Sequence, residues 1–130
     1  MTYPEIVHFP SFRETNGTLT VPFGQSEYLK VVRFFMVHAG HNAERGQHAH
    51  RECTQILFAA SGRVKVDAVG SWGQASFSLD SPAKGLVLFP MTWAVQVFES
   101  ESVLGVLCDK PFQESDYIRD WAEFQSLARL

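Results

Sequence analysis

Three of the five histidines fall in one ten-residue window, at His41, His48 and His50, with His38 just upstream. The sharpest string is Arg45-Gly46-Gln47-His48-Ala49-His50. Alternate residues of a strand face the same side, so His48 and His50 project together if this string is extended. Two imidazoles in one cavity serve either a metal ion or proton transfer, because an ordinary imidazole titrates at about 6.5, near neutral pH. Counting ligands separates the two. A catalytic divalent site takes roughly three protein ligands, His or carboxylate. The residue five places beyond His50 is the neutral Gln55, and no further His follows. The expectation is a pocket without metal or cofactor, in which the His pair moves protons.

The elements that must position this pair read as strands. Short apolar or alternating runs bounded by Gly, Pro, Asn or Asp recur along the chain. Thr18–Val21 follows the Asn16-Gly17 turn, and Leu29–Val37 ends before a polar segment, His38 to Gly46. Thr54–Ala59, Arg63–Asp67, Phe77 with Leu79, Leu86–Phe89, Val95 with Val97 and Val103–Leu107 complete the set. Such spacing predicts an all-β sandwich or barrel and not a βαβ sheet. From Ser115 the period changes. Tyr117, Ile118, Trp121, Phe124, Leu127 and Ala128 recur as on one face of a helix. The expectation is a C-terminal α-helix capped by Ser115, with Asp116 at its positive end, packed on the β body or on a second subunit.

Composition narrows the class. The 130 residues are 45% hydrophobic and 19% charged, with eleven Phe, so disorder is excluded and one domain spanning residues 1–130 is expected. The most apolar stretch, Val31–Val37, is short and carries Arg33, which argues against a membrane span. The formal net charge is −3 with no Lys/Arg cluster, so nucleic acid is not the partner. One anionic small molecule still fits, because a few placed Arg side chains can hold it. The opening residues around Tyr3-Pro4-Glu5 lack the basic and apolar regions of a secretory leader. Cys53 and Cys108 read as buried free thiols, and a cytoplasmic protein is expected.

Beyond His50 the steps to Gln55 and then Gly62 resemble the spacing of a cupin barrel, with the carboxylate ligand missing. The resemblance becomes specific in Arg45-Gly46-Gln47-His48-Ala49-His50, Gln55, Gly62, Leu79–Leu86, Pro90, Trp93 and Glu114-Ser115-Asp116-Tyr117-Ile118-Arg119-Asp120. In this order they resemble the dTDP-sugar 3,4-ketoisomerases, over about residues 15 to 124. The resemblance implies a homodimer of small, metal-independent cupin domains (a jelly-roll β-barrel with a C-terminal helix). Its substrate would be a dTDP-linked 4-keto-6-deoxyhexose, with the ketone moved from C4 to C3 on the way to amino sugars of surface glycans. His48 stands where the family has its base, with His50 and Arg45 beside it to orient the sugar or stabilise an enediolate.

Five other positions have readings that the sequence leaves open or bland. Trp93 walls the sugar pocket or is a core Trp, and Arg33 reaches the diphosphate or lies solvated at a strand edge. Gln55 shares the cavity face with the His pair if strand parity holds. Asp116 and Arg119 are explained by a helix-start charge and a surface ion pair, and are read as structural. Where the family carries a Tyr on the strand before the His pair, this chain has Phe34-Phe35, and Ala94 follows Trp93 where a His is common. Those two departures leave a second reading, a cupin that binds a nucleotide sugar or other small ligand without turnover.

Overall fold

The computed structural model describes residues 2–22 and 28–130. Its elements in chain order are β1 (Glu5–His8), β2 (Ser11–Glu14), β3 (Gly17–Thr20), β4 (Arg33–Ala39), β5 (Glu44–His50), β6 (Gln55–Ser61), β7 (Val64–Gly70), β8 (Gly73–Leu79), β9 (Lys84–Leu88), β10 (Trp93–Phe98), β11 (Ser102–Cys108), β12 (Tyr117–Ile118) and α1 (Trp121–Ala128). Two five-stranded antiparallel sheets run β1-β9-β6-β11-β4 and β12-β5-β10-β7-β8, and β2 pairs with β3 in a separate hairpin. The all-β barrel with a C-terminal helix is therefore present. No helix among the described residues is long and apolar enough to cross a membrane.

Side-chain alternation explains the layers. In β7, Val64, Val66 and Ala68 are buried while Lys65 and Asp67 face outward, the period-2 pattern of a sheet with one face on the core. Strand β6 is buried on both faces. Its Leu57 and Ala59 join Val64, Val66, Leu86, Phe98 and Leu104 between the sheets. Ile56 and Phe58 pack on the other side with Leu29, Val87 and Leu107.

The C-terminal segment departs from the helix expected from Ser115. Residues Glu114–Asp116 form a single 3-10 turn, and Tyr117 and Ile118 pair with His50 and Ala49 of β5. The edge of β5 offers backbone groups that need partners, and this demand outweighs the helical period of the side chains. The helix begins at Trp121, where the Asp120 carboxylate, not Ser115, caps it by accepting from Glu123 N at 2.9 Å. Phe124 and Ala128 are buried against Trp93, Ala49 and Ile118, whereas Leu127 is exposed. The break between the strands carrying His38 and His48 is also shorter than expected, only residues 40–43.

Candidate active site

Strand β5 carries the His pair, and its register is irregular. Against β10, Ala94 pairs with His48 and Val95 with Gly46, which leaves Gln47 as an extra, bulged residue. Gly46 and Gln47 both take positive φ, 85° and 57°. A Cβ on Gly46 would lie 2.4 Å from Gln96 Oε1 and 2.9 Å from the Ala94 carbonyl oxygen, so space as well as conformation demands glycine. The bulge also resets parity. Three residues apart, Arg45 and His48 would face opposite sides of a regular strand; here they pair with Gln96 and Ala94 and share the inner face.

Between the sheets lies a cavity of about 190 Å³, lined by Arg33 and Phe35 of β4, Arg45 and His48 of β5, Gln55 of β6, Tyr117 of β12 and Arg119. Three guanidinium groups thus converge on one pocket of a chain whose net charge is −3, a concentration of positive potential suited to an anion. Arg33 donates to the Tyr117 hydroxyl at 3.3 Å and lies over the Phe35 ring. Arg119 binds Glu114 through two hydrogen bonds of 2.7 and 3.0 Å and stacks over the Tyr117 ring at 4.2 Å. Gln55 donates to Cys108 Sγ at 3.4 Å.

The two histidines project together but do not share this wall. Their rings meet edge to face with centroids 5.0 Å apart, and Tyr117 covers both, at 5.0 Å from His48 and 4.4 Å from His50. His48 borders the large cavity, whereas His50 borders a smaller chamber behind it. His50 Nδ1 donates to Asp116 Oδ2 at 2.8 Å, and Asp116 Oδ1 accepts from Glu52 N at 2.7 Å.

Burial is the main cause that holds the His48 imidazole down at about 4, with His50 and Arg119 adding to it and the Gly46 carbonyl opposing. The ring is therefore neutral near pH 7 and able to accept a proton. Burial also lowers His50, against the pull of Asp116. Burial pushes the Asp116 carboxyl upward, but the hydrogen bonds from His50 and Glu52 N outweigh it and keep the group below the usual carboxylate range.

Among the described residues, the ligating atoms of His50, Cys53 and Asp116 lie within 4.8 Å of one another. They suit a metal poorly as they stand. The His50–Asp116 contact is a direct hydrogen bond, and the Cys108 thiol and burial push the Cys53 thiol up, away from thiolate.

The expected site residues divide accordingly. His48, Arg45, Arg33 and Gln55 lie on the large cavity, and His50 stands behind it. Trp93 lines neither; its ring packs on Trp121 and Phe124 at 5.2 and 5.6 Å under the helix, the core alternative for that residue. Phe35, not Phe34, faces the pocket. Sequence reasoning missed Tyr117 and read Asp116 and Arg119 as structural. Asp116 is not at the start of the α-helix, and Arg119 lines the cavity as well as forming its ion pair. The Asp116-Tyr117-Ile118-Arg119 string was visible; its pairing with β5, some 66 residues away, was not.

A profile of the family described as FdtA (WxcM-like, C-terminal) matches residues 2–129. The chain is 29% identical over 129 residues to the TDP-4-oxo-6-deoxy-alpha-D-glucose-3,4-oxoisomerase of Aneurinibacillus thermoaerophilus, covering 93% of this chain and 89% of that one. Among solved structures, the sugar 3,4-ketoisomerase QdtA of Thermoanaerobacterium thermosaccharolyticum, in complex with TDP, superposes with a TM-score of 0.91 at 25% identity, over 99% of this chain and 97% of that one. A 3,4-ketoisomerase from Helicobacter canadensis gives a TM-score of 0.89 at 25% identity, with 97% of each chain covered.

Proposed function

Because the chain belongs to the FdtA family (WxcM-like, C-terminal), we propose that it is an isomerase of thymidine-diphosphate sugars, moving the ketone of a 4-keto-6-deoxyhexose from C4 to C3. One observation carries the reading: a neutral, half-buried imidazole, His48, stands on the wall of a pocket ringed by Arg33, Arg45 and Arg119. The C3 proton is acidified by the adjacent ketone, so one base removes it to give an enediolate. Passage of the O3 hydroxyl proton to O4 and return of the carbon-bound proton to C4 leave the ketone at C3, with no oxidant or reductant consumed. The guanidinium groups offset the charge of the enediolate and the diphosphate. The product, a 3-keto sugar, suits later amination on the way to a surface glycan, and the enzyme works in the cytoplasm without metal or cofactor.

A homodimer is part of this proposal. Hairpin β2–β3 pairs with neither main sheet, and its cross-strand partners Phe12 and Leu19 are 55% and 56% exposed. A lone two-stranded ribbon is marginal in water, and exposed apolar residues of this kind suit a second copy of the chain.

The test is proton NMR of TDP-4-keto-6-deoxyglucose incubated with the protein in D₂O. Deuterium entry and ketone migration are expected with the wild type. In His48→Asn both should slow by at least about 10²-fold, the lower range for a positioned acid/base. Saturable binding by the wild type with no exchange at C3 would refute the isomerase assignment.

A further inference from the structure

Three buried side-chain atoms near the site have no hydrogen-bond partner among the described residues: His48 Nδ1, His50 Nε2 and Thr92 Oγ1. All three residues line the same small chamber, walled on its apolar side by Leu88, Phe89 and Ala94. Its volume is about 10 Å³, the room one water molecule needs, and a buried water takes roughly 2–4 polar partners. Unpaired buried polar atoms are rare because each forfeits its hydration, yet the three residues that carry them all line a space of this size.

We propose that this chamber binds one internal water, which joins His48 Nδ1, His50 Nε2 and Thr92 Oγ1 and couples the cavity-facing imidazole to the His50–Asp116 pair. The proposal deepens the isomerase reading and rests on it for the kinetic arm of its test. The hydrogen bonds fix the protons. A carboxylate only accepts, so His50 carries its proton on Nδ1, toward Asp116, and presents a lone pair at Nε2. The water donates there and accepts from His48 Nδ1–H. His48 then keeps the lone pair of Nε2 for the substrate cavity, which it also lines.

The sequence of transfers balances. The C3 proton passes to His48 Nε2, the His48 Nδ1 proton to the water, and a water proton to His50 Nε2. His50 becomes imidazolium while still donating to Asp116, so the positive charge rests beside a carboxylate and not inside an apolar wall. The reverse shuttle restores the proton on His48 Nδ1, and the ring then delivers its Nε2 proton to C4. His50 and Asp116 are positioning residues in this scheme, and of these three side chains only His48 touches the sugar.

Three measurements test it. In the substrate-free wild type, ring nitrogen-15 spectra should show the proton on Nδ1 of both His48 and His50. Thr92→Val keeps the shape but removes one anchor of the water; kcat should fall about tenfold with KM within twofold and an unchanged circular dichroism spectrum. Asp116→Asn has one oxygen for two donors. With that oxygen on Glu52 N, its amide meets His50 Nδ1 and forces the proton to Nε2, and kcat should drop about 10²-fold. A wild-type proton on Nε2 of either ring, or an unchanged kcat in Thr92→Val, overturns the relay. The ring spectra need neither substrate nor variant, so a failure of the isomerase reading or of a variant to fold stays distinguishable.

Discussion

An enzyme whose base is an ordinary histidine loses activity as pH falls through about 6.5; this one should hold its activity much further. Burial lowers His48 to about 4. At pH 5 a histidine of ordinary pKa is only about 3% neutral, whereas a group at about 4 is roughly 90% neutral, a difference near 30-fold in active base. The acid limb of kcat/KM should therefore fall at about pH 4, checked by initial rates of ketone migration from pH 3.5 to 8 and by the His48 ring shift in free enzyme. The same shift acts on stability. Between pH 6.5 and 4 the unfolded chain binds the His48 proton and the folded chain does not, so stability falls as pH falls through that window. The span of about 2.5 units sets the loss at about 3 kcal/mol. In urea titrations, the wild type should lose this amount relative to His48→Asn, which has no group to titrate there. A kinetic limb near 6.5, with parallel pH–stability curves for the two proteins, would refute the claim that burial governs His48.

Three further outcomes follow from the geometry. Gly46→Ala forces a Cβ into positive φ and against Gln96 and the Ala94 carbonyl, costing about 2–4 kcal/mol of stability by denaturant unfolding; a loss below about 1 kcal/mol would mean the bulge relaxes freely. Arg45→Gln removes the charge, and kcat/KM should fall about 10–100-fold, as for a lost charge-assisted hydrogen bond of about 1.5–3 kcal/mol; Arg45→Lys should recover part of it. Asp120→Ala removes the helix cap, lowering stability by about 1 kcal/mol while leaving KM unchanged, measured by thermal melts and steady-state rates.

Local pattern carried far in this chain wherever the backbone is regular. The alternation of Val64 to Ala68 and the apolar run Leu86–Leu88 lie in strands as read, because period 2 is a property of the strand itself. The Ser115 helix misled for the opposite reason: the spacing of Tyr117 to Ala128 satisfies a helix, but the unpaired edge of β5 claims Tyr117 and Ile118.

The sequence by itself determined the strand-rich class, the acidic balance, and the two histidines that share one side of a strand. It also held the string from Arg45 to His50 and the Asp116–Arg119 string. Only the tertiary structure decided how these meet. One bulged residue, Gln47, turns Arg45 to the His48 side, and a two-residue strand brings Asp116, Tyr117 and Arg119 against the His pair. It also sends Trp93 into the core beneath α1 and sets His50 behind His48. The reason is physical: facing is local until a bulge resets it, and contact between distant segments depends on which backbone edges remain unpaired, which side-chain spacing does not encode.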